Sequence, residues 1–236
     1  MAAVLVFGAR NLGRTIAKHF ASDGWSAAAF ATSEETIERF RSEIPGAIGF
    51  RGDARNEADV QAALAGTREQ LGSLDLVVNA ITARPRGTFG GGTLADAPAD
   101  ALEPYVEELL PAIFNVLRLG ARAMADSGGT IVQITGGSSR RAIAGRGPWS
   151  AAAFATKALV QAAALELREG GVHVALLVVD ATIASPKTAE WIGDKPHDAT
   201  TSEEDVARAV AYLQSQSPRG WTHELQITPR LDRWVP

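Results

Sequence analysis

At 236 residues, 46% of them apolar and 21% charged, the chain is long enough to bury a large core and ordinary enough in composition for one globular domain. Its net charge of −4, with no basic stripe along the sequence, excludes nucleic acid as the expected partner. The absence of cysteine rules out disulfides, thiolate nucleophiles and Cys-ligated metals; with no signal peptide and no apolar span in view, the expectation is a cytoplasmic protein that does not meet a membrane.

Short apolar runs alternate with longer amphipathic stretches, the order of repeated βα units around a parallel sheet. The pattern predicts a strand over 3–7, a helix over 12–22, a strand over 27–30 and a helix over 34–41. A strand over 47–51, a helix over 57–71 and a strand over 74–79 follow. Residues 80–98, rich in Gly, Pro, Thr and Arg, read as a loop. A long helix is predicted over 99–125, with Pro104 near its first turn and Pro111 kinking it. Then come a strand over 130–135, a loop through Arg146, a helix over 148–168 and a strand over 172–179. Helices over 188–193 and 203–214 and a strand over 224–228 complete the chain. The expected fold is a single α/β domain over 1–236: a doubly wound parallel sheet of about seven strands with helices on both faces.

Gly8-Ala9-Arg10-Asn11-Leu12-Gly13 lies between the first strand and the first helix. A turn there offers backbone N–H groups at a helix N-terminus, where a pyrophosphate is stabilised. Gly8 permits the tight turn and Gly13 lets helix and strand pack closely. This is the arrangement of a Rossmann-like dinucleotide site, although taken alone such glycines also serve as ordinary turns and caps. The second strand ends Phe30-Ala31-Thr32-Ser33, without the acid that holds a ribose 2′-hydroxyl in NAD-preferring domains. Thr32 and Ser33 leave room for a 2′-phosphate, and Arg10 is either its ion partner or a solvated surface arginine. The reading favours NADP(H), with NAD(H) less favoured.

On these residues the chain resembles the short-chain dehydrogenase/reductase family over essentially its whole length. The run Phe7 to Gly13 stands for the family's TGxxxGxG, with Phe7 in the Thr place, Asn11 in the middle Gly place and one residue fewer. Asp53, with Ala54 beside it, matches the Asp that contacts adenine. Val78-Asn79-Ala80-Ile81 resembles NNAG. The segment from Asp180 to Pro186 falls where the family has PGxVxT, which implies that the Ile183 backbone and the Ser185 hydroxyl meet the nicotinamide carboxamide. Singly, Asp53 is equally a helix cap and Asn79 a strand-end turn. The resemblance further implies hydride transfer on a small carbonyl or alcohol substrate, and a homodimer or homotetramer built through the two long helices, where the alanine-rich face over 151–164 permits close packing.

In that family a tyrosine moves the proton, a lysine four residues later holds the ribose, a serine orients the oxygen and an asparagine supports a water relay. Lys157, in the setting Ala-Thr-Lys-Ala, matches the lysine. Four residues back stands Ala153, which has no ionisable group. The serine place falls on Gly136 counted from the strand and on Arg140 counted back from Ala153, with Ser138 and Ser139 between. The asparagine place falls near Leu109, and Asn115 is more than a turn late. Tyr105 is the tyrosine nearest the cleft, as a proton donor or as a core or dimer-face residue, and Trp149 and Ser150 stand two turns before Lys157. His19, His173, His197 and His223 have no metal-ligand spacing, so no metal is expected. Arg84, Arg86, Arg140 and Arg141 either draw an anionic group or lie solvated, and residues 84–98 and 186–200 would set specificity. Two readings stay open: an atypical NADP-dependent reductase, and a scaffold without redox chemistry, such as a cyclase, dehydratase or dinucleotide-sensing partner.

Overall fold

The computed structural model describes residues 1–84 and 87–232. Strands and helices alternate through β1 (Ala3–Phe7), α1 (Leu12–Ser22), β2 (Ser26–Ala31), α2 (Glu34–Glu43), β3 (Ile48–Arg51), α3 (Glu57–Leu71) and β4 (Leu76–Asn79). After the segment that follows β4 come α4 (Leu110–Met124), β5 (Gly129–Gly136), α5 (Gly147–Leu167) and β6 (Val172–Val179). The C-terminal part holds β7 (Ile183–Ala184), α6 (Ala189–Ile192), β8 (Thr201–Ser202), α7 (Glu203–Gln214) and β9 (Glu224–Ile227).

Seven strands form one parallel sheet in the order β3-β2-β1-β4-β5-β6-β9. The strands are apolar throughout because both faces are covered, as parallel sheets require. Alternate residues of β1 divide between the two faces: Leu5 and Phe7 pack with Val60, Val116 and Val160 of α3, α4 and α5. Val4 and Val6 pack with Ile16, Phe40 and Val210 of α1, α2 and α7. The order reverses between β1 and β4, and the crevice outside the carboxyl ends of these strands is where such sheets bind ligands. No helix among the described residues is long and apolar enough to cross a membrane.

The main departure from the sequence reading lies in the long fourth helix. It starts at Glu103, not at residue 99, and its first turns over Glu103–Leu109 are widened, with the Leu110 N–H bonded to the Tyr105 carbonyl five residues back. Pro111 has no N–H to give and its ring crowds the preceding turn. The chain absorbs this as a wider turn, and α4 runs on regularly from Leu110. The small parallel pair β7–β8 is an addition that the sequence pattern did not show.

Candidate functional site

The turn after β1 is drawn tightly onto the residues after β4. Gly8 has φ +86°, and a Cβ built there would lie 2.8 Å from the Ala80 carbonyl carbon and 2.9 Å from the Ile81 nitrogen. A Cβ on Gly13 would lie 2.6 Å from the Gly8 oxygen. Only glycine fits at either place. α1 opens on Asn11, whose side chain makes no capping bond, and its first turn carries no acid. By contrast α2, α3 and α7 are capped by Ser33, Asn56 and Ser202. The first N–H groups of α1, from Leu12 onward, are therefore left without a side-chain acceptor at a positive helix end, which suits an anionic group.

At the end of β2, Ser33 caps α2, so its hydroxyl accepts from the Thr36 N–H. Thr32 accepts instead from Arg84 Nη2 at 3.0 Å. Arg10, expected as the ion partner of a 2′-phosphate or as a solvated arginine, is exposed in the turn. Arg84 belongs to the loop arginines expected either to draw an anionic group or to lie solvated; Arg86 lies outside the described residues. Asp53 is clasped by Arg55, with Nε at 3.0 and 3.1 Å and Nη2 at 2.5 Å, and those bonds hold its carboxyl below the usual range. Asn115, late for the family's asparagine place, has another task. Its amide donates to the carbonyls of Ala54 and Arg55 at 3.1 and 2.9 Å and fixes that corner. Asn79 donates to Gln133 at 2.8 Å and accepts the Ile81 N–H at 3.2 Å, a strand-end turn that shapes Ala80 and Ile81.

Farther along the carboxyl edge the charged groups are paired. Lys157 Nζ lies 2.9 Å from one oxygen of Glu224 and 3.1 Å from the other, and Arg140 meets the same carboxylate. Burial pushes the Glu224 carboxyl up, but Lys157 and Arg140 outweigh it and leave it below the usual range. Beside this triad Arg141 meets Asp180 at 2.7 Å, and Gln226 donates to the same oxygen at 3.2 Å. A Cβ on Gly137 would fall 1.9 Å from Asp180 Oδ1, so glycine is required for this approach. The sequence reading missed Glu224. Its one signal was an acid in the last, otherwise mostly apolar, strand.

The serines face inward. Ser138 Oγ is buried without a partner among the described residues, and Ser139 Oγ donates to the Gly136 carbonyl at 2.9 Å. Ala153 is 1% exposed. The Tyr105 hydroxyl accepts the Gly90 N–H at 2.6 Å, and burial raises its pKa. The described contacts do not join Tyr105, Ser138 and Ser139 to Lys157 in one hydrogen-bonded set. After β6, the Thr188 hydroxyl bonds the Ile183 carbonyl at 2.6 Å and accepts the Ser185 N–H at 3.0 Å, which fixes the segment beside the crevice. No group of His or acidic residues among the described ones is placed to hold a metal.

Comparison with known proteins gives the chain its family. A family model described as short chain dehydrogenase matches residues 2–191. The chain is 28% identical over 204 residues to 2-(R)-hydroxypropyl-CoM dehydrogenase of Xanthobacter autotrophicus, covering 82% of this chain and 78% of that one. It is 32% identical over 150 residues to an uncharacterised NAD-dependent oxidoreductase of Mycobacterium tuberculosis, covering 61% of this chain and 52% of that one. Among solved structures, an alcohol dehydrogenase from the archaeon Thermococcus sibiricus complexed with 5-hydroxy-NADP has a TM-score of 0.84 at 21% identity, with 100% of both chains covered; that likeness concerns the fold.

Proposed function

The chain belongs to the short chain dehydrogenase family, and on that footing we propose that it is an NADP(H)-dependent oxidoreductase of a carbonyl–alcohol pair, with a catalytic centre unlike the family's usual one. The observation that carries this reading is the nucleotide turn. Gly8 sits against Ala80 and Ile81 where a Cβ would collide, and the uncapped start of α1 leaves its N–H groups for a ligand. In this reading Gly8, Asn11, Leu12 and Gly13 hold the pyrophosphate and Arg10 pairs with the 2′-phosphate. Asp53 and Ala54 meet adenine, Asn79, Ala80 and Ile81 line the ribose, and Lys157, Ile183 and Ser185 hold the nicotinamide half. Thr32 and Ser33 in place of a carboxylate, with Arg84 donating to Thr32, support the phosphorylated cofactor. NAD is the less favoured alternative.

When bound, the cofactor supplies or takes up a hydride. The chain's own task is then to deliver a proton to the carbonyl oxygen, and Ala153 has none to give. The donor is drawn from Tyr105, Ser138, Ser139 and an ordered water. Tyr105 keeps its own proton available, because its oxygen only accepts the Gly90 N–H. The two long helices leave Phe114, Phe154 and Leu165 exposed, which supports a homodimer or homotetramer through α4 and α5.

A second reading, a dinucleotide-binding scaffold without redox chemistry, is favoured by one observation: Lys157 is already neutralised by Glu224 in a helix that lacks the tyrosine. Calorimetric titration with NADPH and NADH tests the first reading. Binding of both is expected, tighter for NADPH, and no binding of either at millimolar concentration overturns it. Stereospecific transfer of deuterium from labelled NADPH to a carbonyl compound then removes the scaffold reading.

A further inference from the structure

Three aromatic rings, each from a different segment leaving the carboxyl edge of the sheet, meet at one place. Phe89 lies after β4, Trp149 opens α5 after β5, and Trp191 lies in α6 after β6. The Phe89 and Trp149 ring centroids are 5.7 Å apart, and those of Phe89 and Trp191 are 6.5 Å apart at 87°. These are the separations at which rings attract. Trp149 is backed by the buried Tyr105 ring at 5.8 Å. Trp191 nevertheless keeps 64% of its surface exposed and meets Phe89 almost at a right angle, so the cluster presents an apolar corner on its open side, with the Arg146 guanidinium 5.5 Å from the Phe89 ring centroid.

The corner stands beside the reacting end of the site. The edge of the Trp149 indole lies in front of Gly136, with Cζ2 at 3.6 Å and Nε1 at 3.8 Å from a Cβ built there. Counted from the strand, Gly136 is the place of the family's oxygen-orienting serine. An indole N–H donates and never accepts, so it suits a carbonyl oxygen. Among the described residues this N–H has no hydrogen-bond partner.

We propose that these rings form the substrate wall and that the substrate is a planar aromatic carbonyl compound. Its ring stacks on Trp191 and meets Phe89 edge-on, and its carbonyl oxygen accepts the Trp149 indole N–H. Phe89, Trp149 and Trp191 then set specificity, and Trp149 also orients the oxygen. The inference rests on the oxidoreductase reading above and adds the class of substrate to it.

Binding is measured without turnover, by calorimetry on the purified protein with and without NADPH. The probes are 2-acetonaphthone, 2-nonanone and 2-ethylnaphthalene. The aromatic ketone is expected to bind about tenfold more tightly than the aliphatic one, and Trp191→Ala or Phe89→Ala to weaken it about fivefold, the size of one lost ring contact. Trp149→Phe keeps a ring but removes the N–H; it weakens 2-acetonaphthone and leaves 2-ethylnaphthalene unchanged. Circular dichroism verifies that each variant is folded; Trp191, being exposed, is a safe site. Equal affinity for the two ketones, or a Trp191→Ala variant that binds like the parent, overturns the wall. Equal losses for both naphthalenes in Trp149→Phe overturn the role of the N–H. The two readings fail separately: NADPH binding without aromatic preference overturns this inference alone, whereas aromatic preference without nucleotide binding supports the wall and overturns the oxidoreductase.

Discussion

Lys157 reaches from α5 to Glu224 at the start of β9, with 2.9 Å between ammonium and carboxylate. Arg140 closes on the same group from the turn after β5. Three elements are thus tied by one acid whose side chain is 21% exposed. Glu224→Gln leaves two cations facing each other, and a loss of about 1–3 kcal/mol in urea unfolding at neutral pH is expected, between surface and buried pairs in size. The carboxyl is held below its ordinary value. Its contribution is therefore complete above the unfolded value of about 4.3 and fades as pH falls through the lower folded one. Comparing unfolding curves from pH 7 down to pH 3 checks this, because the variant should lose less stability on acidification than the parent.

Arg84 is the residue on which cofactor choice is expected to turn. It is exposed and its one described bond is to Thr32, so Arg84→Ala should leave the fold intact. NADPH affinity should drop about tenfold, the scale of one lost charge-assisted contact, with NADH affinity unchanged. Calorimetric titration of the variant with both nucleotides reads the ratio directly. An equal loss for both nucleotides would assign Arg84 a different job.

Gly137→Ala sets a methyl group where the Asp180 carboxylate already stands. Asp180 must swing away from Arg141 and Gln226, and overpacking of this kind costs about 1–3 kcal/mol. Asp180→Ala should remove most of the penalty in the double variant. Thermal unfolding of the four proteins measures the coupling.

Tyr105→Phe strips the acceptor from the buried Gly90 N–H. Leaving that donor unpaired should cost about 1–3 kcal/mol. If Tyr105 also delivers the proton, kcat falls by about 10²–10⁴-fold while KM stays near the parent's. A stability loss with unchanged kcat moves the proton donor elsewhere.

The sheet and the nucleotide turn were legible because both are local patterns: apolar runs bounded by turns, and Gly8 and Gly13 at fixed offsets between a strand and a helix. The widened turn before Pro111 was read only as a kink, since the proline announces a conflict in hydrogen bonding without saying how the chain resolves it. The charged pairs stayed hidden for another reason. Lys157 and Glu224 are 67 residues apart, and the separation of 52 residues from Thr32 to Arg84 is crossed only by folding. Arg10 is offered for the 2′-phosphate by its place beside the glycines in sequence; Arg84 is brought to Thr32 only by the return of the chain after β4.

The Leu110 N–H bonded five residues back amounts to one surplus residue held within the helix. Were that residue deleted, the turn would close to a regular α-helical one with both flanks keeping their bearing; were the bulge ironed out with every residue kept, everything on its N-terminal side would rotate by about 100°, the angular step of one helical residue. Tyr105 would then turn off Trp149 and lose Gly90 together. The bulge thus acts as a phase setting: it fixes the bearing of the tyrosine ring, and in a screen of single-residue deletions those within 106–109 should be tolerated better than those in the regular helix beyond Leu110.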